Sequence, residues 1–261
     1  MQMTQIETDW SPVHIHGEDR DSRWLVTCDH ASNTIPPMVN GGTLGLAAED
    51  MNRHIAYDVG AAGLAMALAD GLGAPAVLSD FSRLVIDPNR GADDPTVLMK
   101  LYDGTVVPGN RHADADEKAR RVALMHEPYH AEVARMAARR PDTVILAIHS
   151  FTPQLRGKPA RPWHVGVLHA PHGGALSRPL IARLHAEPDL CVGDNEPYAG
   201  HLEGDSIDRH ALVPDRLNTL VELRNDLIET PEQQVAWAER LTPILQAALA
   251  DVTHEQEPAH G

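Results

Sequence analysis

Four short stretches set ligand-type or acid–base side chains at the end of, or inside, apolar runs. The first is Cys28-Asp29-His30-Ala31-Ser32-Asn33, where a histidine follows the run Arg23–Cys28. The second is Ile86-Asp87-Pro88-Asn89-Arg90, preceded by Arg83. Arginine presents a planar fork that holds a carboxylate through two hydrogen bonds. The third is His149-Ser150-Phe151-Thr152-Pro153, directly after the run Thr143–Ile148. Packing His, Ser and Thr at a buried strand end is costly unless they make ordered contacts. The fourth is Leu220-Val221-Glu222-Leu223-Arg224, a carboxylate within an apolar run. Strands alternate faces, so Glu222 and Arg224 point the same way. Each stretch also has a plainer reading: an Asp/Ser/Asn turn, a solvated arginine, a satisfied core histidine, a structural Glu–Arg pair. Together, two histidines, a glutamate and several arginines fit a metal hydrolase. Imidazoles hold Zn2+, the metal acidifies water, and the glutamate takes its proton.

The segments that must position these groups alternate between strand and helix signals. Strands are expected at residues 23–28, 76–79, 82–87, 143–148, 163–168 and 219–223. Apolar residues recur at helical spacing over 56–72, which Gly71 and Gly73 stop. One long helix or two are expected over 114–140, and another over 175–185. A last helix spans 231–251, with Thr230 as N-cap and Pro231 at its first position. This alternation indicates an α/β sheet covered by helices on both faces, and open sheets of that class bind ligands at the carboxyl ends of their strands. Gly91 to His112 has no period and reads as a long loop, the kind that serves as a lid. A single domain over residues 1–261 is the simplest organisation, with polar tails at about 1–20 and 251–261.

The 261 residues carry 22 Lys or Arg against 37 Asp or Glu, a net charge of −15. Such a chain repels nucleic acid and anionic membrane, so neither is an expected partner. Two cysteines, Cys28 and Cys191, cannot staple a secreted scaffold. The N-terminus lacks the basic and apolar regions of a signal peptide, and the apolar run over 59–69 is too short for a membrane span. A cytoplasmic protein is expected. Most of the 16 histidines need no role. His14, His16, His254 and His260 fall in the tails, and His169 and His172 in a loop. His126 and His130 are four apart on one helical face, a spacing that can bind metal. His210 precedes the Glu222 strand and could reach the site as a substrate contact. Asn195, Glu196 and Tyr198 could line a pocket.

The motifs resemble the N-formylglutamate amidohydrolase family. They are Asp29–Asn33 with Pro36, Asp58–Ala61, Ser82–Arg90, His149–Pro153, Asp194–Tyr198 and Glu222–Ile228, spread from about residue 24 to about 245. That family in turn resembles the zinc carboxypeptidases, in which an Asp-x-Asn-Arg stretch binds the substrate carboxylate, a strand histidine binds zinc and a Glu-Leu-Arg stretch carries the general base. The resemblance implies a three-layer α/β/α sandwich with a mixed sheet of about eight strands, a zinc-exopeptidase (phosphorylase/hydrolase)-like fold. It implies Zn2+ at His30 and His149 and a water activated by Glu222. It implies an anionic substrate met by Arg90 and Asn89, with Arg224, Arg83, Ser150 and His210 as further contacts. Carboxypeptidases supply His-x-x-Glu as the first ligand pair; here that spacing from His30 lands on Asn33, an amide, with Asp29 the alternative donor. The implied reaction is hydrolysis of an N-acyl amino acid amide, most simply N-formyl-L-glutamate to glutamate and formate. A carboxypeptidase-like peptidase, another N-acyl amino acid deacylase, and a non-catalytic metal- or anion-binding protein on the same fold are the alternatives.

Overall fold

The computed structural model describes residues 10–256. Its strands, in chain order, are β1 (Val13–His16), β2 (Trp24–Cys28), β3 (Ala76–Ser79), β4 (Leu101–Tyr102), β5 (Thr105–Val106), β6 (Val144–Phe151), β7 (Val165–Leu168), β8 (Val192–Asp194) and β9 (Asn218–Arg224). The helices are α1 (Ala48–Met51), α2 (Ala61–Gly71), α3 (Ala115–Arg121), α4 (Glu127–Ala137), α5 (Ser177–His185) and α6 (Pro231–Gln256). Among these residues seven strands form one sheet in the order β1-β3-β2-β6-β9-β7-β8. That is one fewer than the eight or so implied by the resemblance, while β4 and β5 make a separate hairpin. The central strands β3, β2, β6 and β9 are parallel; β1 and β7 run against them. The sheet is therefore mixed.

Alternation along the strands feeds two apolar layers. Trp24, Val26 and Cys28 of β2 join Val144, Leu146 and Ile148 of β6 against α2, α5 and α6. Leu25 of β2 with Ile145 and Ala147 of β6 faces the other way, onto Met125, Tyr129, Val133 and Met136 around α4. Burial on both faces explains why β6 is apolar without a period-two pattern up to Ile148. The molecule is thus a three-layer α/β/α sandwich. No helix among the described residues is long and apolar enough to cross a membrane.

Several boundaries differ from the sequence expectation. Residues 13–16 lie in the stretch read as a polar tail, yet they form β1 and pair with β3 from His16↔Ala76 to Val13↔Ser79. Helix α6 continues to Gln256, beyond the expected end at 251. Residues 1–9 and 257–261, with His260, lie outside the described residues. Residues 82–87 are buried but are not a strand. Their amides are taken up elsewhere: Ser82 N–H donates to Thr34, Arg83 N–H to Ala56 and Asp87 N–H to Val97. The region 114–140 is two α-helices joined by a π-helical turn, Val122–His126. The extra residue per turn there re-aims the side chains that follow it.

Candidate active site

Parallel pairing brings the carboxyl ends of β2, β6 and β9 to one side of the sheet. His30 sits two residues past β2, held by a turn in which Ser79 Oγ donates to the Asp29 carbonyl at 2.6 Å. His149 is not beyond its strand, as expected, but inside β6, because β9 continues the ladder through His149↔Glu222, Ser150↔Leu223 and Phe151↔Arg224. On the other side of β9, Gly166 lies opposite Glu222. A Cβ at Gly166 would collide with the Glu196 carbonyl, so only glycine fits. His149 and Glu222 are therefore neighbours on the face that also carries Asp29 and α4.

Asp58 is the group around which the site is built. It precedes α2 and is fixed by Gly60, whose φ of +79° and close approach to Ile228 exclude a side chain. One Asp58 oxygen lies 3.3 Å from His30 Nδ1 and 2.9 Å from His149 Nδ1, and it also accepts from the Ser150 amide. His30, Asp58 and His149, all buried, place one donor atom each within 4.8 Å of one another. Each histidine turns its other nitrogen toward a second carboxylate. His30 Nε2 meets Asp87 at 2.7 Å, and His149 Nε2 lies 3.4 Å from Asp29. Asp87 is gripped by Arg83 through Nε and Nη2, and Asp29 accepts from Tyr129 at 2.6 Å and Ser206 at 2.8 Å. A carboxylate behind each imidazole fixes the ring and raises its basicity, the usual arrangement behind a metal-ligating histidine.

The electrostatics have the same origin. Burial by itself would raise Asp29 and Asp58, but close contact with and charge from His149 and His30 hold both well below the carboxylate range. Burial opposes charge on His149 too, and Asp29, Asp58 and Glu222 overcome it, so its pKa is raised. Glu222 goes the other way. Burial pushes its carboxyl up to about 7, His149 pulling it down and Asp58 pushing it up. Three buried polar atoms here have no hydrogen-bond partner: Asp29 Oδ2, His149 Nε2 and Glu222 Oε2. Unsatisfied buried groups are expensive. Two imidazoles that converge through Nδ1 on the Asp58 carboxylate, with the unpartnered Glu222 Oε2 on the neighbouring strand, fit a small divalent cation with an open position.

These groups line a cavity of about 270 Å3 together with Arg83, Asn89, Arg90, Ser150, His54, Tyr102 and Tyr198. Residues 91–112, expected as one long loop, carry the hairpin β4–β5 and a 3-10 turn at Pro108–Asn110, and Tyr102 of that hairpin forms part of the wall. Arg90 has no carboxylate partner among the described residues; its Nη1 donates to the Asn89 carbonyl at 2.6 Å. The Asn89 side-chain oxygen accepts from the Ser206 amide at 3.2 Å, which turns its NH2 away. Ser150 lines the cavity but its hydroxyl donates to the Val59 carbonyl at 2.8 Å, so it braces the Asp58 turn.

Three expected residues lie elsewhere. Asn33 does not line the cavity; its amide donates to the Met51 carbonyl at 2.9 Å and faces Asn52. Arg224 leans away from Glu222, with Nε on Asp226 at 2.8 Å and Nη1 toward the carbonyls of 161–163, because β9 ends there and the chain turns. His210 is buried behind the Arg90 loop. His126 and His130 donate through Nε2 to the carbonyls of Arg90 and Pro88, at 2.9 Å each. His130 Nδ1 is then an acceptor, so His210 Nε2 donates to it at 2.8 Å, with the two rings stacked. Burial keeps His130 and His210 neutral, depressing His210 to about 4. The three rings clamp the backbone that carries Asn89 and Arg90. Tyr129 and Ser206 escape a reading of sequence alone, and Asp58 falls in the motif Asp58–Ala61 but is given no role by it, because their roles come from contacts between residues 28 to 177 positions apart.

Comparison with known proteins bears on the fold and the family. The chain is 27% identical over 251 residues to the N-formylglutamate deformylase of Pseudomonas aeruginosa, covering 88% of this chain and 87% of that protein. Its backbone matches the crystal structure of a gene product of Agrobacterium tumefaciens with a TM-score of 0.87, at 32% identity over 94% of this chain and 97% of that one. It shares its fold with an N-formylglutamate amidohydrolase from Ralstonia eutropha, with a TM-score of 0.62 at 18% identity, covering 94% and 99% of the two chains. Residues 22–229 match the family model described as N-formylglutamate amidohydrolase. That match spans every strand from β2 to β9 and every site residue named above, and the chain belongs to the N-formylglutamate amidohydrolase family of enzymes.

Proposed function

We propose that this protein hydrolyses the amide bond of an N-acyl amino acid, with N-formyl-L-glutamate as its substrate, and that Zn2+ serves it at His30, His149 and Asp58. The observation that carries the reading is the adjacency of His149 and Glu222 across β6 and β9, beside a buried His–Asp–His cluster in a small cavity. Nδ1 of each histidine and a carboxylate oxygen of Asp58 would hold the cation, with Asp87 and Asp29 behind the rings. Bound there, it would supply Lewis acidity to the acyl carbonyl and to a water. Asp58 takes the place that the carboxypeptidase spacing gives to Asn33.

The rest is the work of the chain itself. Glu222, ionised, accepts the proton of the attacking water at Oε2, its unsatisfied oxygen. It returns that proton to the amine nitrogen as the C–N bond breaks, which leaves the amino acid and the acid of the acyl group. Arg90 and the Asn89 NH2 bind the α-carboxylate, and the histidine clamp behind them fixes where that carboxylate sits. Arg83, already neutralised by Asp87, orients the site rather than contacting substrate. The cavity suits a small molecule, which favours an amino acid derivative over a long peptide.

The test compares formyl, acetyl and succinyl amino acids and short peptides, with untagged protein, before and after chelation and Zn2+ restoration. N-formyl-L-glutamate is expected to have the highest kcat/KM, with activity lost on chelation and regained on loading. A faster reaction with another acyl group or a peptide overturns the substrate, and full activity in chelator overturns the metal.

A further inference from the structure

We propose that Arg161 is a specificity-determining residue that binds a second, distal carboxylate of the substrate and so selects acidic N-acyl amino acids. This rests on the reading above, in which Arg90 and Asn89 take the α-carboxylate. A glutamyl substrate carries one more negative charge, and a protein of net charge −15 must meet it locally, because screening hides distant charges beyond about 8 Å. Most arginines near the cavity are already committed. Arg83 is paired with Asp87 and lies near Asp58, Arg53 is paired with Asp50 and Asp103, and Arg224 with Asp226.

Arg161 is different. It sits in the loop between β6 and β7, and its guanidinium stacks 4.9 Å from the ring centre of Tyr198 and 5.7 Å from that of Phe151. Both rings line the cavity. Its Nη1 donates to the Thr152 carbonyl and to the Tyr198 hydroxyl, at 3.1 Å each. These acceptors are neutral, and no carboxylate pairs with Arg161 among the described residues. Its Nε and Nη2 donors have no partner there. The charge is felt inside the cavity: His54 on the wall is held below its ordinary value first by burial, against Asp103, and then by Arg53, Arg83 and Arg161. Tyr198, raised to about 12 by burial and by Glu222, is lowered in turn by Arg161, so it feels both charges. Two rings of the cavity wall and two neutral acceptors hold the guanidinium beside the cavity, with its remaining donors free. A planar fork so oriented loses little freedom in gripping a carboxylate.

The test uses the full chain loaded with Zn2+ and two variants. Arg161→Met keeps the apolar stem against the rings, and Arg161→Lys keeps the charge. Glutarate and its monoamide, glutaramate, differ only in the distal charge, and calorimetry measures the binding of each. The wild type is expected to prefer glutarate by about 10- to 100-fold, as for a hydrogen-bonded charge pair. Arg161→Met is expected to lose that preference while binding glutaramate within about threefold of wild type, and Arg161→Lys to keep part of it. Turnover follows suit: Arg161→Met raises KM for N-formyl-L-glutamate, leaves kcat near wild type, and leaves N-formyl-L-glutamine unchanged. No preference in the wild type, a preference that survives Arg161→Met, or equal loss of both anions overturns the inference. If the wild type turns over neither formyl substrate but shows a dianion preference that Arg161→Met removes, the proposed reaction falls and the role of Arg161 stands.

Discussion

Replacing Glu222 with Gln keeps the shape of the side chain and removes its charge. Glu222 is 6% exposed and its Oε2 has no partner. Burial lifts the carboxyl from an ordinary 4.5 to about 7, which sets about 3 kcal/mol against its ionised form. The sign follows from which state holds the proton more tightly. The folded pKa is above the unfolded one, so the contribution to stability is fully present below 4.5 and is lost as pH rises through about 7. At pH 8 the metal-free wild type carries a buried carboxylate that the Gln variant lacks. Chelated Glu222→Gln is therefore expected to gain up to about 3 kcal/mol over wild type at pH 8, roughly 5–10 °C in Tm, and less than about 1 kcal/mol at pH 5. The contrast between the two pH values cancels whatever the buried amide itself costs. In the metal-loaded protein the gain shrinks, because a cation beside Glu222 favours its ionised form. The same change is expected to lower kcat by about 10^2 to 10^4 while leaving metal content intact. Thermal unfolding by circular dichroism at both pH values, beside turnover and elemental analysis, reads all three effects. A chelated variant that gains no more at pH 8 than at pH 5 refutes the burial argument, and near-wild-type turnover refutes Glu222 as the base.

Asp58→Ala removes the carboxylate shared by His30 and His149, and elemental analysis of untagged protein is expected to find under about a tenth of the wild-type metal; stoichiometric metal would exclude Asp58 as a ligand. Asn33→Ala deletes a donor to the Met51 carbonyl, so a stability loss of about 1 kcal/mol in urea unfolding is expected with metal content unchanged, and metal loss would restore Asn33 to the site. Asp87→Asn leaves His30 in place but weakens the carboxylate behind it. Chelator competition should show metal affinity lower by about 10- to 100-fold, and unchanged affinity would mean that Asp87 serves Arg83 alone.

The layered architecture was legible because its signals are local. The apolar run of β6, the Thr230–Pro231 start of α6 and the glycines after α2 each declare an element within a few residues. His30, Arg90, His149 and Glu222 were legible for a related reason: polar groups stand out against apolar runs. Their partners were not. Asp58 lies in the family-like motif Asp58–Ala61, but nothing within ten residues of it announces that it meets two imidazoles, which arrive from just past β2 and from within β6. Residues 82–87 have a strand's composition, but their amide donors are taken by Thr34, Ala56 and Val97, a competition that no short window reveals. β1 was missed because an edge strand needs only one apolar face, and in Val13–His16 two of the four residues are histidines.

The insertion of β9 between β6 and β7 orders events in time. Synthesis proceeds from the N-terminus, and the first 151 residues already contain β1, β3, β2 and β6 with His30, Asp58, Asp87 and His149. Glu222 and the strand that joins β7 and β8 to the rest of the sheet emerge some 70 residues later, several seconds at ordinary rates of translation. The growing chain therefore carries the histidines and aspartates of the cluster well before it carries the buried carboxylate that pairs alongside His149. Glu222 joins the cluster only when the last strand takes its place between two that were made before it.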